Sequence, residues 1–218
     1  MTDASPSPDD LGPALLHVLR ARGPRNAIVP GADVFPPCET TALLMVVGKT
    51  RGALGSSLYA REIPGAVGRI PHGRPKAALR SAAFVERLIA KRLLCAAQPV
   101  GRGGIACALA DLATTSGVQV NADVNPVRIF GADGAPGVAG FLFSEEPGRF
   151  IVAFAKEHEK VITSIALDMG AKDDCLMIGS IASIAHAQQQ GWTQPAFTLR
   201  GGPNTAGVAL DLNALHTA

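Results

Sequence analysis

Two runs of this chain, Thr41–Val47 and Phe150–Ala155, are apolar at odd and even positions alike. A strand with that pattern must be covered on both faces, which requires helical layers on either side of a sheet. The chain supplies candidates for those layers. Leu15, Leu16 and Leu19 predict a short helix over residues 11–22, stopped by Gly23 and Pro24. Residues 77–94 place Phe84, Leu88, Ile89 and Leu93 at helical spacing, and residues 103–116 do the same with Ile105, Leu109, Leu112 and Ala113. Lys156–Met169 predicts a further helix with Val161, Ile162, Ile165, Ala166 and Met169 inside, ended by Gly170. Further strands are expected at Leu94–Val100, Cys175–Ile181 and Ala196–Leu199. Another is expected at 118–124, where Val118, Val120, Ala122 and Val124 alternate with Gln119, Asn121 and Asp123. The expected class is α/β (α+β), a mixed sheet flanked by helices. Residues 131–140 and Gln188–Gln190 read as loops, and 61–77, with three prolines and several arginines, as a basic loop or linker.

Charge excludes some partners. Lys+Arg 20 against Asp+Glu 18 leaves +2 over 218 residues, too balanced for a general nucleic-acid binder. No apolar run approaches the ~18 residues of a membrane span. The polar, acidic MTDASPSPDD start lacks the plan of a secretion signal and reads as a disordered tail over residues 1–10. Cys38, Cys95, Cys107 and Cys175 form no CxxC and read as reduced thiols, so a cytoplasmic location is expected. The five histidines have no metal-ligand spacing, and Asp173-Asp174 reads as solvated loop. With 24 glycines and 16 prolines, tight turns and close backbone approaches are expected.

Two glycine turns bear on phosphate chemistry. Gly101-Arg102-Gly103-Gly104-Ile105-Ala106 fits G-x-G-x-x-G/A between a strand and a helix, with Asp123 near the end of the next strand. Such a turn lets a phosphate approach a helix N-terminus. From the residues alone it reads as a dinucleotide site, as another phosphate site, or as a tight turn that binds nothing. Gly48-Lys49-Thr50 resembles the tail of a P-loop, but the glycine required five residues earlier is Leu43, so that reading fails.

Four segments, in order, carry a more specific likeness. They are Gly55-Ser56-Ser57-Leu58-Tyr59, Gly103-Gly104-Ile105 running through Ala108–Ala113, Leu142-Phe143-Ser144-Glu145-Glu146-Pro147-Gly148-Arg149-Phe150, and Met177-Ile178-Gly179-Ser180-Ile181. They resemble the LGxSxY, DGG-L-x-x-ALAEMA, LFSE-x-x-GRF and IGxV segments of phosphoribosylformylglycinamidine synthase, over roughly residues 36–215. The resemblance implies the C-terminal α/β domain of the aminoimidazole-ribonucleotide-synthetase superfamily. It implies the ATP- and Mg-dependent ligase chemistry of purine biosynthesis, in which ATP activates an amide oxygen and ammonia from glutamine displaces it to give an amidine. On this likeness residues 11–75 are a truncated remnant of the preceding domain plus linker, and 76–218 the C-terminal domain.

The departures from that pattern shape the expected site. The family's HDVSDGG turn reads Gln98-Pro99-Val100-Gly101-Arg102-Gly103-Gly104 here, and a family-like RNGDFV reads Arg80-Ser81-Ala82-Ala83-Phe84-Val85. Two Asp positions have become Pro99 and Arg102. Carboxylates are hard ligands for Mg²⁺, and this swap makes the turn locally more positive, which opposes Mg²⁺ and favours a free anion. Phosphate of a nucleotide or substrate is therefore expected at Arg102, Gly103 and Gly104, with Ser144, Glu145, Arg149, Gly55 and Ser57 as further candidates. Glu145 and Arg149 read either as substrate ligands or as a structural salt bridge, and Ser57 either as a phosphate donor or as a helix cap. No catalytic residue and no metal ligand is assigned. The chain is expected to be incomplete for catalysis alone. It would need an ATP-domain-bearing partner chain or a second copy of itself, and the family resemblance adds a glutaminase partner. The alternatives are a non-catalytic binding or assembly relative that lost its acids, and a dinucleotide-binding protein.

Overall fold

The computed structural model of the protein describes residues 11–22, 41–116, 118–125, 129, 137–189, 197–200 and 208–210. The elements run α1 (Leu11–Arg22), β1 (Thr41–Val47), α2 (Leu58–Glu62), α3 (Pro75–Ala90), β2 (Ala96–Pro99), α4 (Gly104–Ser116), β3 (Val118–Asp123), α5 (Gly137–Phe143), β4 (Phe150–Ala155), α6 (Glu159–Asp168), β5 (Cys175–Ser183), α7 (Ile184–Gln189), β6 (Phe197–Arg200) and β7 (Val208–Leu210). Short 3₁₀ turns at Lys156–His158 and Lys172–Asp174 lead into α6 and β5.

The seven strands form one sheet in the order β2-β4-β1-β5-β3-β6-β7. Neighbours are antiparallel except β3 and β6, which run parallel. The two doubly apolar runs lie side by side in it, with Leu44 opposite Ala153 and Val46 opposite Ile151. Alternation sends Leu44, Val46, Ile151 and Ala153 into a core shared with α1, α2, α4 and α5, while Met45, Val47, Val152 and Phe154 join Phe84, Leu88, Ile162 and Ile165 of α3 and α6 on the opposite face. Both faces are buried there, as the sequence pattern demands. On β3 only one face is covered. Val118, Val120 and Ala122 are buried, while Gln119, Asn121 and Asp123 stay half-buried on the other.

Thr41–Val47, assigned from sequence to the 11–75 segment, is hydrogen-bonded between β4 and β5 of the 76–218 segment, so in the described residues the two segments share one sheet. α1 also packs into the same core as α4, where its Arg22 makes a bidentate ion pair with Asp111 at 2.6 and 2.7 Å.

Several local expectations are corrected. Residues 137–140, read as loop, form the first turn of α5, because Val138, Phe141, Leu142 and Phe143 are buried against α4. Gln188 and Gln189 end α7 rather than lying in a loop. Val161 faces outward at 48 % exposure, because α6 buries only the stripe of Ile162, Ile165 and Ala166. The tail at 1–10, Cys38, His216 and most of the 131–140 loop lie outside the described residues.

Candidate functional site

The glycine turn and the Leu142–Phe150 segment meet. Pro99 pairs with Phe150 across β2 and β4, and the Val100 amide donates to the Arg149 carbonyl at 2.9 Å. Gly104, at φ +69°, starts α4 so close to the end of α5 that a Cβ there would lie 2.4 Å from the Leu142 carbonyl oxygen. Only glycine fits, because both the backbone region and the space exclude a side chain.

Glu145 occupies the place expected for a phosphate. Its Oε1 accepts from the Gly103 amide at 2.8 Å and from the Leu58 amide, in the first turn of α2, at 2.8 Å. A carboxylate at a helix N-terminus satisfies orphan amides and the favourable end of the helix dipole, as an anionic ligand would. The Gly104 amide donates to the Gly101 carbonyl at 3.1 Å. Both amides of the turn therefore have partners within the chain. Arg102 is exposed, with no side-chain partner among the described residues.

The other candidates form a knot beside it. Glu146 accepts from the Arg51 amide with both oxygens, at 3.1 and 3.0 Å, and from the Ser144 hydroxyl at 3.3 Å. Arg149 is fully buried and donates from Nε to the Glu146 carbonyl at 3.1 Å, from Nη1 to Thr50 Oγ1 at 3.0 Å, and from Nη2 to the Ser144 carbonyl. Burial pulls its pKa down to about 10, against the pull of the Glu146 and Glu145 charges. The expected Glu145–Arg149 pair is corrected: the carboxylate near Arg149 is Glu146, at 3.8 Å, because Glu145 turns away to the two amides. With adjacent glutamates, the sequence carried no signal for which one faces the arginine. Ser57 caps α2 through the Ala60 amide at 3.1 Å, and the Gly55 amide donates to the Arg69 carbonyl at 2.8 Å.

The site does not suit Mg²⁺. Among the described residues no group of three or more His, Cys, Asp or Glu side chains converges, and the turn offers Pro99 and Arg102 where the family resemblance places acids. Gln98, in the position of the family's His, is buried with no partner for its Nε2 among the described residues.

Sequence reasoning missed a second arrangement. Asp174, read as solvated, forms an ion pair with Arg80 of α3, and its side chain is only 10 % exposed. The turn after β1 docks next to it, since the Gly48 amide donates to the Asp174 carbonyl at 2.8 Å. Among the described residues no disulfide forms. Cys107 is buried, and Cys95 and Cys175 are half-buried.

A family model described as "AIR synthase related protein, C-terminal domain" matches residues 42–182. The chain belongs to that family. Within it, the chain is 32% identical to the phosphoribosylformylglycinamidine synthase subunit PurL of Methylocella silvestris over 143 residues, 65% of this chain and 18% of the relative. It is 32% identical to PurL of Pyrococcus furiosus over 124 residues, 57% of this chain and 16% of the relative. The chain thus spans less than a fifth of the length of these curated relatives. Among solved structures, Thermotoga maritima PurL complexed with FGAR has a TM-score of 0.58 at 15% identity, covering 88% of this chain and 29% of that one. The hydrogenase maturation protein HypE in complex with ATP has a TM-score of 0.51 at 14% identity, covering 84% and 54%. These two likenesses bear on the fold of the AIR synthase related C-terminal domain, a mixed sheet between helices, as expected from sequence. No helix among the described residues is long and apolar enough to cross a membrane.

Proposed function

We propose that this AIR synthase related C-terminal domain works as one half of a purine-type synthetase and cannot run ATP chemistry alone. The observation that supports this most directly is the Glu145 carboxylate bridging the Gly103 and Leu58 amides, which takes up donors that a nucleotide phosphate would need. The lack of converging acids among the described residues agrees with it. The ATP-binding half would come from a partner chain or a second copy. Relatives solved with ATP, and a PurLQS structure from Thermotoga maritima, fit an assembly of that kind. A glutaminase belongs to the proposal on the family resemblance, and a cytoplasmic location on the free thiols. In this reading Glu145, Ser144, Arg149, Gly55 and Ser57 are framework, and Arg102 is the one exposed guanidinium at the turn that can reach a partner's ligand.

The test is a strain whose only lesion is loss of the synthase. This chain expressed alone is expected not to restore growth without purines, and the purified chain is expected to show no Mg²⁺-dependent ATP turnover. Growth, or turnover above a no-protein control, overturns the proposal.

A further inference from the structure

α3 and α6 cover the same face of the sheet, where Phe84, Val85 and Leu88 share a core with Ile162, Ile165 and Ala166. Two ties set them antiparallel. Arg80, near the start of α3, pairs with Asp174 beyond the end of α6. His158, just before α6, donates from Nδ1 to the carbonyl of Leu93, just after α3, at 3.0 Å. Burial of Ser81, Phe84, Val85 and Leu88 turns Leu79, Ala83 and Ala90 outward on α3, and burial of Ile162, Ile165 and Ala166 turns Val161, Ser164 and Leu167 outward on α6. Among the described residues five large apolar side chains are exposed, and three of them, Leu79 at 70 %, Leu167 at 55 % and Val161, lie on this layer.

The charges around them are sorted by helix. The end of α3 and the turn after it present Arg87, Lys91 and Arg92, its start presents Lys76, and Glu86 is its one acid. The start of α6 presents Glu157 and Glu159 and its end Asp168 and Asp173, which Lys156, Lys160 and Lys172 offset only in part. All of these side chains are exposed, and none forms an ion pair among the described residues. A two-fold axis running along the layer lays α3 of one copy on α6 of the other. Because the two helices are antiparallel within a chain, that stacking sets the basic end of α3 on the acidic start of α6 in the second copy. Arg87, Lys91 and Arg92 then meet Glu157 and Glu159, Lys76 meets Asp168 and Asp173, and the exposed leucines and valine close the space between.

α3 has 16 residues and is about 24 Å long. Two helices about 10 Å apart make a layer about 20 Å wide, so the footprint is about 500 Å² on each copy and about 1,000 Å² in all. That is the lower end of specific interfaces and fits a reversible dimer rather than a permanent one. We propose that the α3–α6 face is the contact of a two-fold dimer of this chain, with a dissociation constant in the micromolar range. α4, which the glycine turn starts, packs on the other face of the sheet, so the contact lies away from it and stands independently of the synthetase reading.

The experiment is sedimentation equilibrium on the full chain, from low micromolar to several hundred micromolar, at low and high salt. A monomer–dimer equilibrium that added salt weakens is expected. Leu79→Glu with Leu167→Glu is expected to leave monomer at every concentration. Arg87→Glu with Lys91→Glu, and separately Glu157→Lys with Glu159→Lys, are each expected to weaken the dimer by about tenfold or more. An equimolar mixture of these two charge variants is expected to dimerise as the parent chain does, because each then meets opposite charge. All the substituted side chains are exposed, and melting temperatures show that each variant folds. Should the leucine variant fail to fold, Leu79→Ser with Leu167→Ser takes its place, with association weaker by about tenfold expected. A parent chain that stays monomeric throughout, assembly beyond the dimer, a dimer unchanged in the folded leucine variant, or a mixture of charge variants that stays monomeric overturns the proposal.

Discussion

Arg22 and Asp111, 89 positions apart, form a bidentate pair at 2.6 and 2.7 Å with both side chains about 95 % buried. The pair ties α1 to α4 in the larger core. The Arg22 Nε has no partner among the described residues, so the desolvation of the guanidinium is only partly met. Such a pair stabilises little relative to an apolar replacement but is costly to break from one side. Arg22→Ala or Asp111→Ala is expected to lower unfolding free energy by about 3–5 kcal/mol, and Arg22→Met with Asp111→Leu to recover most of that loss. Urea unfolding of the three variants checks it. A double variant as unstable as the singles contradicts the reading.

Glu145 holds two helix starts with one oxygen. Glu145→Ala leaves the Gly103 and Leu58 amides without that acceptor and is expected to cost about 1.5–3 kcal/mol, as for hydrogen bonds to charged groups. Glu145→Gln keeps a neutral acceptor and is expected to cost less. If added phosphate restores the stability of Glu145→Ala and does nothing for the parent chain, the carboxylate stands where an anion fits. Thermal melts with and without phosphate measure this.

The strands were legible because their burial is written in alternation. Thr41–Val47 and Phe150–Ala155 are apolar throughout and lie between two helical layers, while 118–124 alternates and is covered on one face. α5 was not legible, because GADGAPGVAG carries loop composition and its helical end is fixed by burial of Phe141, Leu142 and Phe143 against α4. The family resemblance grouped Arg102, Gly103 and Gly104 with Ser144, Glu145 and Arg149, and the two stretches do adjoin, Pro99 pairing with Phe150 and Gly103 bonding to Glu145. Which glutamate faces Arg149 was not legible, since that depends on amides presented by a turn and a helix distant in sequence. The Arg80–Asp174 pair was invisible for the same reason, its members lying 94 positions apart.

Backbone geometry gives a prediction in both directions. Gly104→Ala places a Cβ 2.4 Å from a carbonyl oxygen at φ +69° and is expected to abolish stable folding. Gly73→Ala meets nothing within 4 Å and is expected to be silent. Ser56 sits at φ +67°, where a side chain costs about 1–2 kcal/mol. Ser56→Gly relieves that and adds roughly 0.4–1 kcal/mol of unfolded-state entropy cost. A net gain of about 1 kcal/mol is expected in denaturant unfolding. A loss would show that the Ser56 side chain contributes more than its backbone strain.

Two thiols set an alkaline limit on stability. Burial pushes Cys107 up to about 12, with the nearby Arg22 charge opposing, and burial with the Asp174 charge pushes Cys175 up to about 12. In the unfolded chain a thiol ionises near the ordinary value of 9.0. Below that pH both states hold the proton and the shift has no effect. Between about 9 and 12 the unfolded chain binds fewer protons than the folded one, so stability falls as pH rises through this window. Cys107→Ala with Cys175→Ala removes both groups and is expected to flatten this part of the curve, even where packing loss lowers stability at every pH. Unfolding free energies at pH 8, 9, 10 and 11 for parent and variant measure the two slopes. Equal slopes would place both thiols near their ordinary value in the folded chain.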